Sequence, residues 1–254
     1  MTSGAGTTRH SGSDGRSNFA GLSGIERPGL RDDQPDWREL LALASLLAEY
    51  PDESLLADLP TIRAALAALA DCQVRGRLLT FVDWLAIADL GLAQEAYVAT
   101  FDQSRRHALY ASYVVHGDTR GRGSALAGLK AVYRSQGFTP SPNNLPDYLP
   151  TMWRFAAQAD RASADQVMGL AQPALAVLVA GLRAAGSPWV GLLTAPLDLM
   201  RPLDDATLTR VAQLIADGPP TETVGWDDAS QLSRSGPPTR QADAPCSQEG
   251  NAHA

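Results

Sequence analysis

Between Gln94 and Leu149 the chain gathers the residue types that can bind or react. Most of its tyrosines lie there, with two of its four histidines and the arginine pairs Arg105/Arg106 and Arg120/Arg122. So does a proline-bracketed corner, Leu145-Pro-Asp-Tyr-Leu-Pro150. Metal ligation wants three or four convergent ligands. His107, His116 and Cys72 offer no pair at ligand spacing, and His10 and His253 lie in the tails, so no metal is expected. A serine nucleophile calls for an elbow such as G-x-S-x-G, which is absent. Ser124 follows a Gly-rich turn without an evident His–acid partner and reads as an early helix residue. Gly123 to Ala131 imitates a phosphate-cradling loop, but Leu129 intrudes between the second Gly and Lys130, Ala131 and not Ser or Thr follows the Lys, and no strand precedes it. A simpler anion site at that helix N-terminus, with Arg120 and Arg122 beside it, stands open against plain solvated arginines. Asp204-Asp205 and Asp227-Asp228 read as cap and tail acids, not as a general acid/base pair. No catalytic set emerges, which leaves binding. Tyr97 and Phe101 sit four apart, a helical spacing at which side chains touch, and Phe101 reads as a core aromatic. Pro146 and Pro150 fix two backbone angles and can present Asp147 and Tyr148 rigidly at a helix start.

The elements that must position these residues are helices. Trp37, Leu40, Leu41, Ala44 and Leu47 make one apolar stripe from about Asp36 to Pro51. A short helix is expected from Asp52 to Pro60, another from Leu59 to Asp71, and a third from Arg75 to Asp89, with Gly91 as a left-handed cap. Within the focal stretch the pattern predicts a helix through Tyr97 and Phe101, one over Ser104–His116, and one from Arg120 to Gln136. Beyond the corner, Met152–Ala162 continues as helix. Ser163-Ala-Asp-Gln166 reads as a capping box opening a long apolar helix that Gly186 ends. Ser187-Pro188 begins another helix, and Asp204–Asp217 is the last. No alternating strand pattern of useful length occurs. The expectation is an all-α, single-domain bundle of about ten helices over 35–217, with disordered extensions at 1–34 and 218–254.

Over its 254 residues the chain carries a formal net charge of −7 and two cysteines, Cys72 and Cys246. The acidic balance argues against nucleic acid as the main partner. Two lone cysteines suit a reducing cytoplasm better than a disulfide framework. The first 30 residues lack the apolar core of an export signal. The longest uncharged run, Gln166–Leu182, is shorter than the roughly 20 apolar residues a bilayer needs and reads as a buried helix.

Five motifs in order carry a resemblance. They are LLAEYPD (46–52), Tyr97-x-x-x-Phe101-Asp102, His116-Gly-Asp-x-Arg-x-Arg-Gly123, Tyr133-x-x-x-Gly137-Phe138 and LPDYLP (145–150). Over about residues 36–217 the chain resembles the nitrate reductase molybdenum cofactor assembly chaperones. These are the delta-subunit proteins of respiratory nitrate reductase, within the redox-enzyme maturation chaperones. Val224-Gly-Trp-Asp-Asp228 echoes a Trp-acidic segment late in that family. Asn144 departs from the family's usual Glu before the LPD turn, which leaves Asp147 as the main acidic candidate.

The resemblance implies a cytoplasmic chaperone and not an enzyme, with no cofactor of its own and no stable membrane insertion. Such a protein binds the N-terminal segment of the apo catalytic α-subunit and holds it competent for molybdenum cofactor insertion. It delays membrane docking and is absent from the final enzyme. Proteins that load the cofactor are further candidate partners. The expected site is a trough lined by Tyr97, Phe101, Tyr113 and Tyr133, with His116, Arg120 and Arg122 alongside. Pro146, Asp147 and Tyr148 form its rigid lip, Asp147 meeting a basic or amide group. The alternatives are a chaperone serving another molybdoenzyme through its twin-arginine signal peptide, a nucleotide-binding protein using the Gly121–Lys130 turn, and a stable structural subunit.

Overall fold

The computed structural model describes residues 29–141 and 144–221. The extensions at 1–28 and 222–254, including His10, Val224–Asp228, Cys246 and His253, lie outside the described residues. The fold is all-α, as expected: α1 (Trp37–Leu47), α2 (Glu53–Ala68), α3 (Gln73–Ile87), α4 (Leu90–Tyr97), α5 (Ala111–His116), α6 (Arg120–Ser135), α7 (Leu149–Gln158), α8 (Arg161–Ala184), α9 (Val190–Asp198) and α10 (Asp205–Asp217). The only β pairings among the described residues are two isolated bridges, Leu30 with Met200 and Tyr110 with Tyr148.

The bundle is built around α8. Val167, Ala171, Ala174, Leu175, Leu178 and Leu182 recur at helical spacing and are fully buried, each large aliphatic contributing roughly 1.5–3 kcal/mol. α5, α7, α9 and α10 pack against α8, and α6 touches it. An outer layer follows, with α1 on α7, α3 on α9 and α2 on α3. Arg161–Ala184 is long and apolar enough to cross a bilayer, but 56% of its most apolar window is buried inside the fold.

Several local expectations are corrected. Pro60 does not divide α2, which runs through it. Leu59, Ile62 and Leu66 are buried where α2 packs on α3, and that burial outweighs one lost backbone hydrogen bond. Gly91 is no left-handed cap. It lies in the first turn of α4, whose cap is the Asp89 side chain accepting from the Leu92 N–H at 3.0 Å. Asp160, not Ser163, caps α8, accepting from the Ser163 N–H at 2.8 Å. Helix does not span Ser104–His116: only Ala111–His116 is helical, because Leu109 and Tyr110 run extended to pair with the corner.

The domain also extends past both expected ends. Leu30 is fully buried and its N–H donates to Asp165 Oδ1 at 2.8 Å. Arg31 N–H donates to the Leu199 carbonyl at 2.8 Å and Arg201 N–H to the Gly29 carbonyl at 2.9 Å. At the other end the chain after α10 lies against Gly117, where a Cβ would come within 1.6 Å of the Pro220 oxygen. Gly117 has φ +57°, which glycine alone adopts readily. Leu30→Ala is therefore expected to cost about 2–4 kcal/mol in urea unfolding.

Candidate functional site

The proline corner is held by the helix it faces. Ala111 and Ser112 open α5, and their N–H groups have no partner inside the helix. Tyr110, at the cap position, has no side-chain acceptor for them. Asp147, distant in sequence, supplies both acceptors. Its backbone carbonyl takes the Ala111 N–H at 2.9 Å, and its Oδ2 takes the Ser112 N–H at 3.2 Å and the Ser112 hydroxyl. Leu149 N–H returns to the Leu109 carbonyl at 2.9 Å, and Tyr133 OH donates to the Pro146 carbonyl at 2.7 Å. Pro150 lies in the first turn of α7, where its missing N–H costs nothing. Asp147 is 0% exposed, and its Oδ1 finds no protein donor. Asp147 is therefore not a lip that meets a partner. It is an internal cap for α5.

The tyrosines divide the same way. Tyr133 is buried between Phe138 and Phe155, with ring centroids at 5.2 and 4.6 Å. Tyr97 is buried against Phe101 and Trp189, and its hydroxyl donates to the Ala48 carbonyl at 3.2 Å. Phe101 is core, as its type suggests. One turn of π-helix, Val98–Asp102, follows α4 and closes with a Gln103 N–H to Val98 carbonyl bond at 2.9 Å. Tyr148 is 8% exposed, its hydroxyl donating to Glu49 Oε2 at 3.1 Å and lying 3.5 Å from that of Tyr97. Burial raises the pKa of all three, that of Tyr97 to about 12, so each stays a neutral donor. Tyr97, Phe101, Tyr133, Pro146 and Asp147 thus do not line an open trough. A buried ring is stable when its hydroxyl finds an internal acceptor, and each of these tyrosines has one.

What remains reachable forms a ridge. Tyr113 and His116 on α5 are half-buried, Arg120 is exposed and Arg122 is partly so. Arg105 donates to the Tyr113 hydroxyl at 2.9 Å and reaches Asp118 at 3.1 Å. Arg122 lies 3.6 Å from the other oxygen of Asp118 and 5.2 Å from the Tyr113 ring centre. One exposed carboxylate is shared by two guanidiniums, so the ridge keeps positive character. Such exposed pairs hold their partners loosely. Burial, and then the nearby Arg210, depress the pKa of His116. Residues 120–135 are one continuous helix, so the turn that a nucleotide would need across Gly121–Lys130 does not exist. Among the described residues no three His, Cys, Asp or Glu side chains gather as metal ligands would.

The expected site leaves out Asp118, Ser112 and Glu49, and also Arg105, although the Arg105/Arg106 pair stands out in the sequence. Asp118 is four before Arg122, a spacing that signals a helical ion pair. Nothing in the sequence pairs Ser112 with Asp147 or Glu49 with Tyr148.

The family model for the nitrate reductase delta subunit matches residues 40–195. The chain belongs to this family. A probable nitrate reductase molybdenum cofactor assembly chaperone, NarJ, of Bacillus subtilis (strain 168) is 39% identical over 123 residues, covering 48% of this chain and 67% of that protein. The nitrate reductase molybdenum cofactor assembly chaperone NarJ of Escherichia coli (strain K12) is 32% identical over 179 residues, 70% of this chain and 75% of that one. The nitrate reductase-like protein NarX of Mycobacterium tuberculosis (strain ATCC 25618 / H37Rv) is 31% identical over 161 residues, which is 63% of this chain but 24% of that longer protein. The delta-subunit match takes in the corner, the ridge and the core of α8. Leu30 and α10 lie outside it, although α10 packs on α8.

In this delta-subunit protein, Asp147→Ala removes the cap of α5 and strands two buried donors. It is expected to lower unfolding free energy by about 2–3 kcal/mol. Asp147→Asn, which keeps an acceptor for Ser112, is expected to cost less than half of that in the same urea titration.

Proposed function

We propose that this chain is an assembly chaperone for a nitrate reductase. It binds the N-terminal segment of the apo catalytic α-subunit, holds that subunit open for molybdenum cofactor insertion, and leaves before the enzyme is complete. The observation that carries this reading is the delta-subunit match, joined to relatives whose names are those of molybdenum cofactor assembly chaperones. We place its work in the cytoplasm, with proteins that load the cofactor as further partners.

The residues suit a holding role. The segment meets the ridge of Tyr113, His116, Arg120 and Arg122, with Arg105 added from the loop before α5. Tyr113 offers a flat ring and the guanidiniums offer donors to acidic or carbonyl groups of the segment. Tyr97, Phe101, Tyr133, Pro146, Asp147 and Tyr148 act beneath this surface. They fix α5, α6 and the start of α7 relative to one another, so the ridge is preorganised and little ordering entropy is lost on binding. Nothing in this scheme requires a bond to be made or broken by the chaperone.

Isothermal titration of the α-subunit N-terminal peptide into the full chain tests the reading. Saturable binding is expected. The paired change Arg105→Gln with Arg122→Gln should weaken it about tenfold and flatten its dependence on salt. Absence of binding by the wild-type chain would sink the reading.

A further inference from the structure

We infer that Glu49, with the rings of Tyr50, Tyr110 and Tyr148, forms a binding site for one cationic group of the client segment. This rests on the chaperone reading above. It also supplies the acidic contact that Asp147, being buried, cannot make.

Glu49 follows α1 and is half-buried. Its one hydrogen-bond donor among the described residues is the Tyr148 hydroxyl, on Oε2 at 3.1 Å. Its Oε1 has no protein donor yet is not among the polar atoms sealed from solvent. No Lys, Arg or His among the described residues stands within ion-pair distance of it. Burial holds the pKa of Glu49 above its ordinary value, against the opposing pull of the Tyr148 hydrogen bond and then of Arg154. A carboxylate with unused acceptor capacity and no counter-ion is costly at such a place, and a cation would relieve that cost.

The surroundings select the ligand. Tyr50 is 43% exposed and packs edge-on against Tyr97, centroids 5.5 Å apart. Tyr110, half-buried, stacks on Tyr148 at 5.5 Å and 41°. Asp102, exposed and without an ion pair among the described residues, adds negative potential felt at Tyr97 and Tyr110. Ring faces beside a carboxylate attract lysine, arginine or a free terminal ammonium. An anion would be repelled by Glu49 and Asp102. An apolar side chain would cover Oε1 without satisfying it.

The test uses the full-length chain, Glu49→Gln and Tyr50→Ala. Gln keeps the shape and an acceptor for Tyr148, and urea unfolding verifies that both variants are folded. In the first arm the α-subunit N-terminal peptide is titrated with its own terminus free or acetylated, and with its Lys and Arg individually changed to Gln. Glu49→Gln is expected to bind about tenfold more weakly, and neutralising one peptide cation should weaken wild type but not Glu49→Gln. In the second arm arginine amide is titrated while the tyrosine ring signals are followed by NMR. Rings of Tyr50 and Tyr148 should shift in wild type and stay still in Glu49→Gln. Wild type that ignores the peptide but shows the Glu49-dependent shift would remove the client reading and keep the cation site. Equal peptide affinities, or ring shifts that are absent or independent of Glu49, would overturn the site.

Discussion

One residue of the proline corner, Asp147, joins that corner to the start of α5. Asp147 gives its backbone carbonyl to Ala111 and its side chain to Ser112, so a loop residue completes a helix that begins 36 positions earlier. α5 is a helix of six residues, too short to persist on its own. It exists because its amide ends are satisfied from outside and its Ala111, Val114 and Val115 are buried beside α8. The same two residues that donate to Asp147 fix where Tyr113 and His116 stand. The corner in turn sets the first turn of α7 and gives Tyr133 an acceptor, so α5, α6 and α7 share one anchoring point.

That arrangement separates two kinds of motif residue. Tyr97, Phe101, Tyr133, Pro146 and Asp147 are interior, each polar atom bonded or capped apart from Asp147 Oδ1. Tyr113, His116, Arg120 and Arg122 face outward. A set of polar and aromatic motif residues is easily read as a list of contacts to a partner, yet half of this one holds the chain's own backbone together. The outward half carries positive charge on a protein of net charge −7, a local field opposite to the average and suited to guiding an acidic or carbonyl-rich group. The negative charges of Glu49 and Asp102 are felt at Tyr97 and Tyr110. A client segment lying across the tyrosines would thus meet both signs, which fixes its direction as well as its position.

Much of the bundle was legible because helical burial is periodic. The stripes of α1, α6, α8 and α10 fell close to their observed limits, and Gly117, Gly137 and Gly186 end helices with positive φ. Misreadings came where a distant partner overrode a local signal. Pro60 reads as a stop, but α3 supplies enough apolar contact to carry α2 through it. Ser104–His116 reads as one helix, but the extended pairing of Leu109 and Tyr110 with Asp147–Leu149 removes its first half. Ser163 looks like a cap, but Asp160 stands three residues closer to the turn and accepts its N–H first. Leu30 sits in a polar stretch with no periodicity around it, and only Asp165, Leu199 and Arg201 reveal why it is inside.

The amino-acid order alone determined the all-helical class, the approximate helix limits and the family, because these depend on local periodicity and on short ordered motifs. It did not determine which functional-looking side chains meet solvent. That choice depends on the partners of each polar atom, and those partners lie on other helices: Ser112 for Asp147, Pro146 for Tyr133, Ala48 for Tyr97. Only the packed bundle brings them within hydrogen-bond distance, and so only it decided that Asp147 turns inward while Glu49 keeps an oxygen toward the surface.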